Sequence, residues 1–384
     1  MLNVSFWEVC SPYVLVFLLL IGLAYRESMV INNIALVQKN KRCAFALLVV
    51  FMGLRAYVST DFISYYPYFM MIDDWKSLPE IILIKGWEPG FIIYTYVCKM
   101  IIPSYFAWNI ISTCIDLFIL NEVLKRYTIR PVLVLVFFFA IGGIALEFNV
   151  LRNAKAVFVF LLSLKYIQEK NLIKYSICIA IAGTFHTSAY IYLPLYFVLN
   201  KRWPKWLIAS LAIGGLVVYF GHFSFIGNLL SRLGESNFQR MDYLIDHYSE
   251  NGERYTSIVG NVIRVFEMCL LILTYDKLFA KNKRNFIFAN MFILVYISFF
   301  YLAENATFVQ RFQYMFIPSY WFVYPKFLSY FSQRKNNLMI VLLFLITFSK
   351  IILIGNYKRE YYENCLLPHS SYNERCAFTI RVKE

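Results

Sequence analysis

Apolar runs long enough to cross a lipid bilayer recur along almost the whole chain, beginning with YVLVFLLLIGL at Tyr13 to Leu23. A hydrocarbon core about 30 Å thick needs roughly 20 helical residues, with a working range of about 17–25. Lipid offers no partner to an unpaired backbone group, so each crossing segment is expected to be helical. Spans are expected near 8–25, 43–57, 105–123, 131–147, 154–168, 172–185, 188–200, 206–221, 262–280, 286–303, 308–325 and 338–354. The expected fold is an all-α polytopic membrane protein with about twelve transmembrane helices. Residues 1–354 form a single transmembrane helical domain with outer loops at 58–90 and 222–261, and 355–384 is a polar C-terminal tail. The first run lacks a basic leader and an A-x-A cleavage site, which reads as a retained span. Composition agrees: 60% of the 384 residues are hydrophobic and 16% are charged, outside the range of soluble domains. An ordinary soluble enzyme, a disordered chain and a disulfide scaffold are excluded.

The net charge is +14, which in a soluble chain would suggest nucleic acid. Here the basic residues cluster between apolar runs: Arg26, Lys39, Lys41 and Arg42 after the first, Lys125, Arg126 and Arg130 after 105–123, and Lys201, Arg202 and Lys205 farther on. Such clusters hold loops on the cytoplasmic side and meet anionic headgroups, so membrane lipids are the expected partner and no nucleic acid is. Both termini then face out. The alternate loops carry Asp61, Asp73, Asp74, Glu80 and Glu88. Residues 90–123 are too long for one crossing and too short for two, and Pro103 interrupts them. An interfacial or re-entrant helix near 90–102 on the outer face, followed by one span, keeps the basic cluster inside.

Of the 8 cysteines, Cys365 and Cys376 lie in the polar tail. They are either a disulfide, if the tail is outside, or two free thiols. The others sit in or beside apolar runs, as small hydrophobes do. No C-x-x-C, H-E-x-x-H, D-x-D or P-loop string occurs, and there are 4 histidines. No metal site and no cofactor is expected.

The chemistry-bearing residues lie at expected outer ends of spans. In GLRAYVSTDFISYYPYF, Arg55 is followed by Asp61 and Tyr65. An ion at membrane depth is costly and usually faces a wet cavity or a partner; alternatively Arg55 snorkels outward and pairs with Asp61. Glu88-Pro89-Gly90-Phe91 resembles a turn opening a helix, with Glu88 as a cap or as a functional acid. Arg152 and Lys155 begin a span on the outer side, against both the positive-inside trend and the helix dipole; something anionic must compensate them. His186 sits in the turn FHTSAY, and Arg311 in ENATFVQRFQYMF. Arg264 is a weaker member of the set. Arg55, Arg152 and Arg311 thus place guanidiniums from separate spans at one expected depth. Guanidiniums donate bidentate forks to phosphate oxygens, so the set suits a diphosphate. Asp61, Glu88 and His186 are the available bases. Tyr65 and Trp87 belong to an aromatic run that either stacks on sugars or forms an interfacial belt.

These motifs resemble those of the EpsG family of Wzy-type polysaccharide polymerases. That family carries an R-x-G-T-D-x-x-x-Y-like string, E-P-G-[FY], R-Q-x-x-A, H-x-S-A and R-x-x-x-[YF]. Here they read Arg55 to Tyr65, Glu88 to Phe91, Arg152-Asn153-Ala154-Lys155-Ala156, His186 to Ala189, and Arg311 with Tyr314. Two positions depart: Ser59 stands near a usual glycine, and Asn153 replaces a glutamine. The resemblance implies a metal-independent glycosyltransferase of the bacterial plasma (inner) membrane, acting on the periplasmic or exterior face. It would join oligosaccharide repeat units carried on undecaprenyl diphosphate, in the making of O-antigen lipopolysaccharide, capsule or exopolysaccharide. Arg55, Arg152, Arg311 and Arg264 would bind the diphosphate, and Glu88, Asp61 or His186 would activate the acceptor hydroxyl. Tyr65, Trp87 and Tyr314 would meet sugar, and a chain-length regulator is a further partner. The competing readings are a lipid-linked oligosaccharide flippase, a membrane acyltransferase that modifies sugars, and a structural membrane partner.

Overall fold

The computed structural model describes residues 4–223, 257–279, 286–366 and 370–381. Most of the expected outer loop at 222–261, including a weak helical signal near 237–248, lies outside the described residues. The chain divides into two compact units, Met1–Tyr196 with Tyr320–Glu384, and Phe197–Ser319.

In the first unit, α1 (Phe6–Met29) opens with a capping box: the Ser5 hydroxyl accepts the Glu8 N–H, and the Glu8 carboxylate accepts the Ser5 N–H. Two otherwise unpaired donors are thereby satisfied. After α2 (Ile34–Leu48) the helix widens into a π-helical turn, Val49–Gly53. The first loop holds α3 (Phe62–Met71) and α4 (Leu78–Lys85). Next, α5 (Pro89–Ile101) begins on a proline, whose missing N–H costs nothing at a first helical position, and ends in extended backbone at Ile102. The long α6 (Tyr105–Tyr127) follows. Thus 90–102 is helical and separate from the span after it. The stretch Pro131–Phe148 comprises α7 (Pro131–Phe138), a π turn (Phe139–Gly143) and α8 (Ile144–Phe148). Gly142, at φ +84°, makes the bend inside it, a conformation that glycine adopts freely. Then come α9 (Leu151–Gln168), α10 (Leu172–Phe185) and a 3-10 helix, Thr187–Phe197. Most of α15 (Pro318–Gln333), α16 (Asn337–Ile352) and α17 (Tyr372–Arg381) complete the unit.

The second unit holds α11 (Lys205–Phe220), α12 (Ile258–Phe279), α13 (Phe286–Tyr301) and α14 (Ala306–Phe316). Asn290 pins it internally: its amide donates to the carbonyls of Leu199 and Lys201 at 2.8 and 2.7 Å and accepts from the Tyr275 hydroxyl at 2.9 Å.

Among the described residues five helices are long and apolar enough to cross a membrane: Phe6–Met29, Tyr105–Tyr127, Pro131–Phe148, Ile258–Phe279 and Asn337–Asn356. Shorter apolar helices accompany them, at Pro89–Ile101, Leu172–Phe185, Lys205–Phe220 and Phe286–Tyr301. The chain is therefore a nearly all-helical, polytopic membrane protein. Two expected spans differ. Residues 188–200 form 3-10 rather than α-helical structure over Thr187–Phe197, with Pro194 inside; proline removes a helical donor and clashes with the preceding turn. The expected span 308–325 is cut at Ile317, where Pro318 starts a new helix.

The polar tail folds back. Its backbone lies along the first loop: Ala56 N–H donates to Glu363 O at 2.8 Å, Cys365 N–H to Leu54 O at 2.7 Å, and Ser59 N–H to Arg359 O at 3.0 Å. Arg375 is fully buried and donates to the carbonyls of Tyr57 and Tyr361. Cys365 and Cys376 are both free thiols, so the disulfide alternative is not realised. Cys376 packs instead on the aromatic cluster of the first loop.

Candidate functional site

Three chain segments that lie far apart in sequence meet at the opening of α5. The E-P-G turn places Glu88 at the N-cap, but its side chain makes no capping bond. One carboxylate oxygen accepts from the Arg152 guanidinium at 2.8 Å, and the other accepts the Thr187 N–H at 3.1 Å. Gly90 permits this approach: a Cβ there would collide with the side chain and carbonyl of Thr184, at the end of α10. Burial alone would raise the Glu88 carboxyl. The Arg152 charge and then the Thr187 N–H work against it, and the net shift is downward. Glu88 is therefore an ionised anchor at neutral pH and not a side-chain cap.

Arg152 occupies the first turn of α9, where the dipole opposes a cation. Glu88 supplies the compensating anion. The Trp87 ring lies under the guanidinium, 4.6 Å from its carbon to the ring centroid, a cation–π distance. The buried Nε has no hydrogen-bond partner among the described residues. The guanidinium is thus paired with Glu88 while the side chain stays 25% exposed.

His186 caps the end of α10. Its Nδ1 accepts the Ser188 N–H at 3.2 Å and lies 2.7 Å from the Ser188 hydroxyl. An Nδ1 that accepts a backbone donor leaves the neutral ring's proton on Nε2. Asp61 stands at the N-cap of α3 and is half-buried. The preceding turn is tied to the start of α9: Asn149 Oδ1 accepts from both the N–H and the hydroxyl of Thr60 at 3.1 Å. Ser59 holds φ +71°, a conformation that favours glycine, so the turn keeps a glycine-like path despite the substitution. Its hydroxyl donates to Glu360 at 2.6 Å. Burial raises the Glu360 carboxyl, and the Ser59 hydrogen bond works against that shift.

Arg55 is not on this surface. It is 3% exposed and donates to Met52 O at 2.5 Å, Thr113 Oγ1 at 3.3 Å and Asn109 Oδ1 at 3.4 Å. Neither a diphosphate-facing placement nor an ion pair with Asp61 is found for it. Acceptors close at hand, the Met52 carbonyl and two side chains of α6, hold it inward. Tyr65 is also core: its ring packs on Trp87, Phe91 and Trp108, and at 5% exposure it offers no face to a sugar. Burial pushes its phenol up, Asp61 adds to that, and Arg152 draws it back. Trp87 packs on Tyr65 and Tyr68 while carrying Arg152, so it supports the cation.

Arg264, Arg311 and Tyr314 belong to the second unit. Arg264 stacks over the Phe299 ring at 3.2 Å and donates to Asn261. Arg311 is exposed and Tyr314 half-buried on α14.

Beneath Arg152 lies a charged layer that the sequence reading did not single out as a site. Lys155 donates to Asp116 at 2.6 Å and to Ser112 O at 2.9 Å. Thr113 donates to Glu147 at 3.0 Å. Asp116 and Glu147 are each 0% exposed, and Arg55 lies within electrostatic reach of both. An acid inside an apolar span is itself a signal, and Asp116 in 105–123 carried it.

No curated protein and no solved structure matches the chain significantly. A family model, that of the EpsG family, matches residues 41–371. That match takes in the Arg55, Glu88, Arg152, His186 and Arg311 motifs and covers nearly the whole chain; the protein therefore belongs to the EpsG family, whose members are Wzy-type polymerase-like proteins.

Proposed function

We propose that the protein is a polysaccharide polymerase that joins oligosaccharide repeat units carried on a lipid diphosphate, undecaprenyl diphosphate in a bacterial plasma membrane, on the outer face. The acceptor sugar's hydroxyl oxygen attacks the anomeric carbon of the growing chain. The bond from that carbon to the diphosphate oxygen breaks, and the lipid diphosphate leaves with the electron pair. Charge grows on the leaving group, so preorganised donors aimed at it matter more than protonation. Arg152 supplies those donors through the part of its fork that Glu88 does not occupy. Glu88 is already ionised and engaged, and His186 Nδ1 is held by Ser188. The acceptor's proton is assigned to one of the three bases, Asp61, Glu88 or His186.

The single observation that carries this reading is the Arg152 guanidinium, clamped by Glu88 and Trp87 with its side chain still 25% exposed. An assay of purified protein with a lipid-linked repeat unit tests it. The expected result is a ladder of longer chains, lost in Arg152→Ala while membrane abundance is kept. Translocation without elongation, or transfer of an acyl group, would overturn it. So would a full ladder from Arg152→Ala.

A further inference from the structure

On α2 and the π-helical turn that continues it, Gln38, Lys41 and Arg42 are followed at i+3, i+4 and i+7 spacing by Phe45 and Val49, so polar and apolar residues share one face in sequence. On α6 the order is reversed: Cys114 and Phe118 come first, then Asn121 and Lys125. The two helices run antiparallel, with Gly53 against Ile110 and Thr113 at one end. Their polar ends therefore coincide, and so do their apolar ends. Between them lies a cavity of about 470 Å³ that all these residues line. It extends about 16 Å along α2, at 1.5 Å per residue. It is basic at one end and apolar at the other.

The basic end contains a cation that lacks an anion. Lys41 is 7% exposed, and among the described residues no hydrogen bond or ion pair engages it. Its charged neighbours are Lys125 and Arg42, of the same sign, and Glu122. Glu122 is already held by Lys125 at 2.5 Å. Lys41 also lines a second cavity of about 290 Å³ beside the first, so its ammonium borders open space on both sides. An ammonium that faces two cavities amid same-sign neighbours draws an anion to it. Asn121 lines the larger cavity too, and its Oδ1 is buried with no donor.

We propose that this groove binds one anionic phospholipid with a hydroxylated headgroup, of the phosphatidylglycerol type. The phosphate sits among Lys41, Arg42 and Lys125, a headgroup hydroxyl donates to Asn121 Oδ1, and an acyl chain lies along Phe45, Val49 and Phe118. Lys125 is about 25 Å along α6 from Trp108, which packs against Phe91 of α5. The lipid site is thus at the opposite end of α6 from the Glu88–Arg152 pair, and it stands whatever reaction that pair serves.

The full chain, purified in detergent, is titrated with phosphatidylglycerol, with phosphatidylcholine of the same acyl chains, and with inorganic phosphate, and its thermal midpoint is followed. Phosphatidylglycerol should raise the midpoint more than phosphatidylcholine does, and inorganic phosphate should not reproduce the rise. In Lys41→Met with Arg42→Gln the apparent affinity for phosphatidylglycerol should fall roughly tenfold or more, from the loss of two basic contacts to an anionic headgroup. Lys174→Gln, an exposed change on α10, should keep the wild-type response. If the first variant does not fold, Arg42→Gln with Lys125→Gln, both at exposed side chains, carries the same expectation. Equal responses to the two lipids overturn the proposal. So does a matching response to inorganic phosphate, which would make the groove a site for free anion, or an unchanged preference in the variants.

Discussion

Arg152 and Lys155 lie one turn apart on α9, carry the same charge, and each meets a carboxylate from another helix. Their surroundings differ. Lys155 and Asp116 are 4% and 0% exposed in their side chains, whereas Arg152 and Glu88 are 25% and 9% exposed. The deeper pair is closed by Ser112 O and the neighbouring Thr113–Glu147 contact. Each pair keeps one buried unpaired atom, Asp116 Oδ1 in the deeper and Arg152 Nε in the shallower, so exposure is what distinguishes them. Sequence motif and charge are alike for the two cations; depth separates a brace from a group that can still bind. A buried pair is hard to break from one side, because the remaining charge is stranded. A pair at the rim can exchange its partner for a substrate anion.

The comparison breaks first at Asp116. Asp116→Ala strands the Lys155 ammonium and should destabilise the protein by about 3–5 kcal/mol, seen as lost membrane abundance and a lower thermal midpoint. Asp116→Ala with Lys155→Met should recover most of that loss, because an apolar pair of similar volume leaves no orphaned ion. Full recovery of polymer in the double variant would confirm a bracing role, and a folded but inactive double variant would move the layer into the chemistry.

A smaller effect is expected at Glu88. Its carboxyl lies below the ordinary value of 4.5, so the pair's stabilisation is present above that pH and disappears as pH falls through the lowered folded value. Glu88→Gln should cost about 1.5–3 kcal/mol at pH 7, the range for a hydrogen bond to a charged group. The gap between wild type and variant in urea or thermal unfolding should close as pH drops below that range. A gap that stays constant down to strongly acid pH would mean that Glu88 contributes packing and not charge.

The smallest effect is at Asn153, which lies between the two cations. It is 5% exposed and its Oδ1 lacks a donor. Asn153→Gln lengthens the amide by one methylene, and a gain of about 1 kcal/mol in stability is expected if it reaches a partner. A loss on thermal melting would show that the pocket has no room for it.

Much of the site was readable from residue types. The E-P-G turn, Arg152 at a helix start and His186 at a turn were singled out, and the structure brings all three segments together. The inward placement of Arg55 and Tyr65 is not legible in their motif, because a motif gives spacing along one element and not the direction of a side chain. Their motif opens an outer loop, yet α6 acceptors and the aromatic cluster drew both inward. Asp116 was passed over because it has no motif around it, only an apolar run.

The sequence by itself determined the solvent, the helical class and the family, because apolar run length and backbone satisfaction in lipid leave few alternatives. It also determined that cations at the start of α9 needed anions, because the helix dipole opposes them. Only the tertiary structure decided which anions answered. Glu88 lies 64 residues from Arg152 along the chain and Asp116 lies 39 from Lys155, and contacts at that separation are set by packing. The same holds for the tail: nothing local in 355–381 announces that it will line the first loop, since its bonds to Leu54, Ala56 and Ser59 exist only once the helices between them have folded.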